Sequence, residues 1–154
     1  MQTHIRQPQL AEYPSLLELW EASVRATHDF LTEKDIEFYR PLVATYLPML
    51  EVSCVAEGQN IKGFMATGDQ MIQALFIHPE ARGKGIGKKL IDHAVVEKNI
   101  TRVDVNEQNQ QAIGFYEYMG FRMVGRSELD GAGKPYPILN MELNYELSNY
   151  KQPA

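Results

Sequence analysis

Cysteine is nearly absent from this sequence, because Cys54 is the only one among 154 residues. A single cysteine cannot close an internal disulfide, and it supplies no metal site by itself. Its neighbours, EVSCVAE, alternate like a strand, so we interpret Cys54 as a small buried apolar residue. The four histidines show no metal-ligand spacing. The sequence therefore predicts a protein that uses no metal.

Long apolar runs and basic clusters are missing too. No run approaches the roughly 18 apolar residues of a membrane-spanning helix. The first residues, MQTHIRQPQL, lack the charged-then-apolar order of a secretory signal. The formal net charge is −5, and no Lys/Arg tract is present that could neutralise nucleic-acid phosphates. We expect a cytoplasmic protein with neither a membrane nor a nucleic acid as partner.

Helical and strand patterns follow one another along the chain. A short edge strand, THIRQP, comes first. Two helical patterns follow, and we expect the second one, EKDIEFYRPLVATYLPML, to be interrupted near Pro41. Three short strand patterns separated by turn residues follow, and then a helix, a strand, a helix and two last strands. This order predicts a single α/β domain over residues 1–147, with residues 148–154 as a tail.

A glycine-rich segment, HPEARGKGIGKKL, stands between a predicted strand and a predicted helix. The first N–H groups of a helix have no intrahelical partner and attract phosphate, and the missing Cβ atoms of Gly83, Gly85 and Gly87 permit close backbone approach. A Walker A loop would need glycine where Arg82 stands, and a dinucleotide fingerprint would need glycine in place of Lys88. The segment therefore indicates a phosphate-binding loop of another kind.

That other kind is found in a known family. Arg82-x-x-Gly85-x-Gly87 after LFIHP resembles the acyl-CoA signature of the GNAT family, the GCN5-related N-acetyltransferases. Downstream, NQQAIGFYEYMGF resembles the second signature of that family, and ATHDFL, VNEQN and GKPYP are similar to a bacterial branch of it. The resemblance implies a GNAT fold, in which about four helices flank a mostly antiparallel, twisted sheet of about seven strands. It also implies that the sheet splays between strands 4 and 5 and commonly carries a bulge on the strand before the glycines.

The resemblance further implies acetyl-CoA as cosubstrate and no metal. The glycine loop would hold the pyrophosphate of coenzyme A through backbone N–H groups, and residues 75–77 would pair with the pantetheine amides like an added strand. The cofactor-binding residues implied are Leu75, Phe76, Ile77, Arg82, Gly83, Lys84, Gly85, Ile86, Gly87, Lys88 and Asn109, with Asn106 as a weaker candidate.

The resemblance implies one catalytic residue and leaves the base to be found among the remaining candidates. Tyr116 would donate a proton to the leaving thiolate, although it could instead merely fill the apolar stripe of its helix. Many GNAT enzymes carry a glutamate base on the strand before the glycines, but this sequence has Gln73 and Ala74 there. His28 is the alternative base, unless it caps a helix end or hydrogen-bonds in the core.

The remaining candidates are assigned to the acceptor site or to structure. Phe30, Gln73 and Tyr136 are predicted to bind the substrate. We expect His78 and Glu80 to be structural, because they lie nearer the pyrophosphate end, and His4 and His93 to be solvated surface residues.

The predicted function is N-acetyl transfer from acetyl-CoA to a small amine or an exposed amino group by direct attack of the primary amine. The alternative is an acyl-CoA-binding sensor or interaction module with a GNAT fold and little or no catalysis, which the missing carboxylate favours. A toxin acting on charged tRNA is disfavoured by the negative charge. The sequence leaves a homodimer open.

Overall fold

The computed structural model describes residues 3–153. Within them, seven strands form one sheet in the order β1-β2-β3-β4-β5-β7-β6. The strands are β1 (His4–Arg6), β2 (Glu51–Glu57), β3 (Asn60–Gly68), β4 (Met71–Ile77), β5 (Arg102–Asn106), β6 (Phe121–Ser127) and β7 (Ile138–Leu143). The helices are α1 (Tyr13–Thr27), α2 (Glu33–Tyr46), α3 (Ile86–Asp92) and α4 (Gln110–Tyr118). None of these helices combines the length and the apolar character that crossing a membrane requires.

The sheet separates two hydrophobic cores. The α1/α2 core contains Leu16 and Trp20 of α1 together with Phe64 of β3. The α3/α4 core contains Leu90 of α3 together with Met65 of β3. Because successive side chains of a strand point to opposite faces, the neighbours Phe64 and Met65 supply one residue to each core. Burial on both faces explains why the central strands are almost continuously apolar.

The two central strands β4 and β5 diverge. They are parallel and share one register pair, Ile72 with Val103. The other neighbouring strands are antiparallel, and β3 pairs with β4 along most of its length. Beyond Ile72, the edge of β4 that faces β5 is therefore left without a strand partner. The predicted seven-stranded sheet and its splay are confirmed.

A β-bulge at Gln73 explains the direction of the side chains on β4. Ala66 pairs with Ala74 and Thr67 pairs with Ile72, so Gln73 has no partner on β3. The extra residue shifts the alternation by one position. Ile72 consequently belongs to the α3/α4 core, whereas Ala74 two residues later packs against the α1/α2 core.

The helix α2 departs from its expectation. It runs through Pro41 without interruption, so the predicted break is wrong. Ile36 before the proline and Val43 after it both pack in the α1/α2 core, and this packing holds both halves of α2 helical. Proline removes one N–H from the helix but leaves its carbonyl, which accepts a hydrogen bond from Thr45 Oγ1 at 2.9 Å. Pro48 falls in the 3-10 turn that follows the helix.

The segment after β7 returns to the helices of the α3/α4 core. At Gly120, where φ is +102°, an added Cβ would lie 2.4 Å from Ser148 Cβ, so only glycine fits there. The Tyr150 hydroxyl donates a hydrogen bond to Asp92 Oδ1 of α3 at 2.5 Å. Part of the predicted tail thus contacts the domain, and the boundary at residue 147 stays a prediction.

Candidate active site

A cavity of about 340 Å³ lies beside the carboxyl half of β4. Its lining comes from the end of α1, from β4, from residues 81–88 and from α4. The sequence-predicted site residues that line it are His28, Leu75, Phe76, Ile77, Arg82, Gly83, Gly85, Ile86, Gly87, Lys88, Asn109 and Tyr116. The fold therefore brings together candidate residues from four separate segments of the chain.

The glycine-rich segment requires glycine for its backbone conformation. Gly83 and Gly85 have φ values of +75° and +77°, in the left-handed region, and an added Cβ at either position would meet nothing within 4 Å. Gly85 is the N-cap of α3 and offers no side-chain acceptor, so the N–H groups of the first turn lack a cap. Gly87 serves packing instead, because its added Cβ would lie 3.1 Å from Phe115 Cζ.

Positive charge at this end of the cavity comes from Arg82. Its Nη2 is fully buried and has no hydrogen-bond partner among residues 3–153. Its Nη1 lies 3.4 Å from Gln111 Oε1. A buried guanidinium nitrogen without an acceptor is costly, so this atom is available for an anion that enters the cavity. Lys88 also lines the cavity, but its Nζ pairs with Asp92 Oδ2 at 2.9 Å.

Tyr116 lies on the α4 side of the cavity and is 5% exposed. Its ring packs against Phe115 and Phe121, with centroids 5.2 and 5.6 Å away. Burial raises the pKa of its phenol, so the hydroxyl is protonated at neutral pH. No residue in the range 3–153 hydrogen-bonds to this hydroxyl, and it is not among the fully enclosed unpaired atoms. The proton therefore remains available to a group inside the cavity.

His28 lies at the other end of the lining, as the C-cap of α1. Its side chain is buried, and its ring packs between Phe30 and Phe76 at centroid distances of 5.3 and 6.4 Å. Burial lowers its pKa to about 4, although the nearby charge of Asp29 acts in the opposite direction. The imidazole is therefore neutral at pH 7 and carries a free lone pair, and the lowered pKa makes it a weaker base than a solvated histidine.

The asparagine candidates have different positions. Asn109 is the N-cap of α4, where its Oδ1 accepts a hydrogen bond from the Ala112 N–H at 3.1 Å. This leaves the Nδ2 of Asn109 for a ligand in the cavity. Asn106 pairs with Ile138 in the sheet and is not a lining residue.

Four predicted site residues do not line the cavity. Lys84 and Gln73 are exposed, and the Gln73 amide donates to Gly68 O at 3.0 Å. The Tyr136 hydroxyl donates to Asp35, and its ring packs against Phe30 at a centroid distance of 5.6 Å. Phe30 in turn packs against His28, so it contacts a lining residue without lining the cavity itself.

Of the three histidines outside the cavity, some but not all lie in the surroundings predicted for them. His78 Nδ1 accepts a hydrogen bond from the Glu80 N–H at 3.2 Å and so caps a short 3-10 turn. His4 is exposed, and His93 is half-buried.

Within residues 3–153, neither a metal-binding cluster nor a cysteine lines the cavity. No group of three His, Cys, Asp or Glu side chains in the described part of the chain could hold a metal ion. Cys54 is buried in the α1/α2 core, and burial raises the pKa of its thiol.

Sequence reasoning missed three polar lining residues, Ser23, Thr27 and Gln111. A signal for two of them was present. Ser23, which is buried, and Thr27, which is half-buried, lie on the same face of α1 as Leu16 and Trp20. Hydroxyl side chains on a helix face that is otherwise apolar indicate that this face meets a cavity at its end.

Comparisons with known proteins agree with this geometry. Residues 50–123 match the family described as Acetyltransferase (GNAT) domain. The chain is 43% identical over 142 residues to the peptidyl-lysine N-acetyltransferase YjaB of Salmonella typhimurium, a match covering 92% of this chain and 98% of that protein. The solution structure of apo-form YjaB from Escherichia coli has a TM-score of 0.86 and 41% identity, covering 92% of this chain and 97% of that one. PaiA N-acetyltransferase of Thermoplasma acidophilum, crystallised with coenzyme A, has a TM-score of 0.73 over 94% of this chain and 100% of its own; at 22% identity it supports the fold alone.

The chain belongs to the GNAT family of N-acetyltransferases. The family, the fold and the enzyme class predicted from the two signatures are confirmed, and so is the finer resemblance, which is to the YjaB-type bacterial branch. The predicted cosubstrate, acetyl-CoA, is the acetyl donor of this family.

Proposed function

We propose that this enzyme transfers the acetyl group of acetyl-CoA to the side-chain amine of lysine in a protein. The observation that carries the proposal is one cavity with an anion-binding loop at one end and two proton-handling side chains, Tyr116 and His28, in its lining. The acceptor is inferred from YjaB of Salmonella typhimurium, a peptidyl-lysine N-acetyltransferase that this chain matches over nearly its whole length. A cytoplasmic location and a homodimer remain predictions.

The residues at the loop end fit a diphosphate. The fully buried Nη2 of Arg82 lacks an acceptor within residues 3–153. The uncapped N–H groups that open α3 add donors, and the left-handed Gly83 and Gly85 let the backbone curve around an anion. We assign the pyrophosphate of coenzyme A to this loop, with Lys84 at its exposed rim.

The free edge of β4 fits the pantetheine chain. Residues 75–77 line the cavity, and their side towards β5 has no strand partner because the sheet splays there. Unpaired backbone groups of a strand bind an extended amide chain as they would bind another strand. The Nδ2 of Asn109, the N-cap of α4, would donate to the same chain.

Tyr116 is the proposed acid. When bound, acetyl-CoA supplies a thioester with a carbonyl carbon that an amine can attack and a sulfur that can leave. Tyr116 is protonated and its hydroxyl has no partner within residues 3–153, so it can donate its proton to that sulfur. Without a donor, a thiolate in this buried site would be costly.

His28 is the proposed base. A lysine amine has a pKa near 10.4, and its deprotonation at pH 7 costs roughly 4–5 kcal/mol, so the reaction benefits from a group that removes the proton. Among the lining residues, His28 has a neutral imidazole with a free nitrogen lone pair at pH 7, so it is the side chain to which we assign this step. The amine attacks after its ammonium proton has passed to solvent. As the C–N bond forms and the C–S bond breaks, His28 takes a second proton from the nitrogen, and solvent returns one proton to Tyr116.

The acceptor side of the cavity is built around His28. Phe30 packs on its ring, and Tyr136 packs on Phe30, so we propose that the two aromatic residues support an apolar wall for the methylene groups of lysine. Gln73 is exposed and away from the cavity lining, and we assign it no contact with the acceptor.

An acetylation assay tests the proposal. The enzyme is incubated with acetyl-CoA and an N-terminally blocked peptide that carries one lysine, and released thiol and peptide mass are measured. The control peptide carries acetyl-lysine at that position. We expect thiol release and the mass of one acetyl group with the lysine peptide alone. Acetylation of free small amines without the peptide would contradict the acceptor, and binding of acetyl-CoA without turnover on any amine would favour the sensor module.

A further inference from the structure

The carboxyl end of α1 contains a hydrogen-bonded chain that leads to His28. Thr27 Oγ1 lies 2.8 Å from the carbonyl oxygen of Ser23, to which it donates, and 2.7 Å from Nδ1 of His28. Ser23, Thr27 and His28 all line the cavity. Two consecutive residues and the carbonyl one turn earlier thus form a connected polar group in an apolar surrounding.

The single hydroxyl proton of Thr27 limits the directions that the two hydrogen bonds of this chain can take. A threonine hydroxyl has one proton, and a backbone carbonyl can only accept a hydrogen bond. Where that proton goes to Ser23 O, 2.8 Å away, the oxygen of Thr27 accepts from His28, and the donor in the 2.7 Å contact is Nδ1–H of the imidazole. A neutral imidazole carries one proton, so Nε2 has a free lone pair.

The surroundings of the ring keep Nε2 available. No residue within 3–153 hydrogen-bonds to Nε2, and this atom is not among the fully enclosed unpaired nitrogens. Phe30 and Phe76 pack around the ring and offer no competing donor or acceptor. His28 is a lining residue of the cavity, and Nε2 is the ring nitrogen that Thr27 does not engage.

We propose that Thr27 is a positioning residue, which fixes His28 in the tautomer protonated at Nδ1 and so presents the unprotonated Nε2 to the attacking amine. The catalytic consequence rests on the proposed function, whereas the tautomer itself does not. Thr27 acts through His28 and gives up no proton in the reaction. The same arrangement orients the ring, because a hydrogen bond at Nδ1 fixes its rotation.

Nuclear magnetic resonance of histidine-labelled protein at pH 7 tests the tautomer directly. Long-range ¹H–¹⁵N correlations distinguish a protonated from an unprotonated ring nitrogen. We expect the proton of His28 on Nδ1 in the wild type and in Thr27→Ser, which keeps the hydroxyl, and a mixture of tautomers in Thr27→Val, which has the same shape without it. A proton on Nε2 in the wild type, or an unchanged tautomer in Thr27→Val, would overturn the inference.

Kinetics test the consequence with the same variants. Thr27→Val should lower kcat about tenfold with little change in the KM for acetyl-CoA, and Thr27→Ser should restore kcat. Equal kcat in Thr27→Val and wild type would show that the hydroxyl positions nothing. If Thr27→Val does not fold, the tautomer of His28 in the wild type still tests the inference. Failure of the proposed function is distinguishable, because it abolishes turnover in the wild type and leaves the resonance result intact.

Discussion

The Tyr136 hydroxyl donates a hydrogen bond to Oδ2 of Asp35, which joins the loop between β6 and β7 to the first turn of α2. This bond is the main reason why the pKa of the Asp35 carboxyl lies below its usual range. Lys134 Nζ, from the same loop, approaches Asp35 Oδ1 at 3.2 Å. Because Tyr136 packs on Phe30 and Phe30 on His28, the bond holds the aromatic support of the acceptor side in place.

The first prediction concerns this bond. Tyr136→Phe should lower the free energy of unfolding by about 2 kcal/mol, because it removes a hydrogen bond to a charged carboxylate. Urea denaturation measures the loss. Tyr118→Phe is the matched control, since Tyr118 is 82% exposed and should be neutral. Equal stability of the two variants would contradict a structural role for the Tyr136 hydroxyl.

The second prediction concerns acid. Burial lowers the pKa of His28 to about 4 from an ordinary value of 6.5, so the unfolded chain binds a proton that the folded chain excludes. The stability that this neutral histidine contributes is complete above pH 6.5 and is lost as the pH falls towards 4. The loss amounts to about 3 kcal/mol between pH 7 and pH 4.

Urea titrations at pH 7 and pH 4 measure that loss. His28→Gln should lose about 3 kcal/mol less between the two pH values than the wild type. His4→Gln, a change at an exposed histidine, is the control and should behave like the wild type. The same pH dependence in all three proteins would mean that His28 titrates normally.

The third prediction concerns the proposed acid. Tyr116→Phe should reduce kcat about 100-fold, because the leaving thiolate loses its proton donor. The Kd for acetyl-CoA, measured by titration calorimetry, should remain unchanged, since the ring still fills the lining. Tyr118→Phe again serves as control. Full turnover in Tyr116→Phe would remove Tyr116 from the mechanism.

The fourth prediction concerns the glycine loop. Gly85→Ala should weaken coenzyme A binding about tenfold, because an alanine at a φ of +77° costs roughly 1–2 kcal/mol and the loop relaxes away from the bound form. The matched control is Gly131→Ala, where an added Cβ meets nothing and φ is not left-handed. Calorimetry with coenzyme A compares the two. Equal affinities would show that the left-handed conformation is not needed.

Much of the site could be predicted because its signals are local. The glycines at 83, 85 and 87 lie directly between the strand and the helix that the loop connects, so their spacing alone indicates the loop conformation. The stripe on α4 likewise indicated Tyr116 in a buried position. The splay of β4 from β5 was expected through the family resemblance, not through any residue on either strand.

The features that were missed depend on distant partners. The Tyr136 hydroxyl donates to Asp35, 101 positions away, and no residue pattern near GKPYP indicates that this carboxylate is its partner. The position of Gln73 depends on its register with β3, which the sequence of β4 does not contain. The continuity of α2 through Pro41 depends on tertiary packing that overrides the local preference of proline.

The unmatched residue at position 73 lets two residues of β4 that are two positions apart face opposite cores. Removing Gln73 would make Ile72 and Ala74 neighbours, and regular alternation would then keep Ile72 in the α3/α4 core and Ala74 in the α1/α2 core. Both halves of β4 would keep their packing, and the strand would lose the local bend and extra twist that a bulge provides. A deletion of Gln73 should therefore change the course of β4 and leave the burial of its side chains intact.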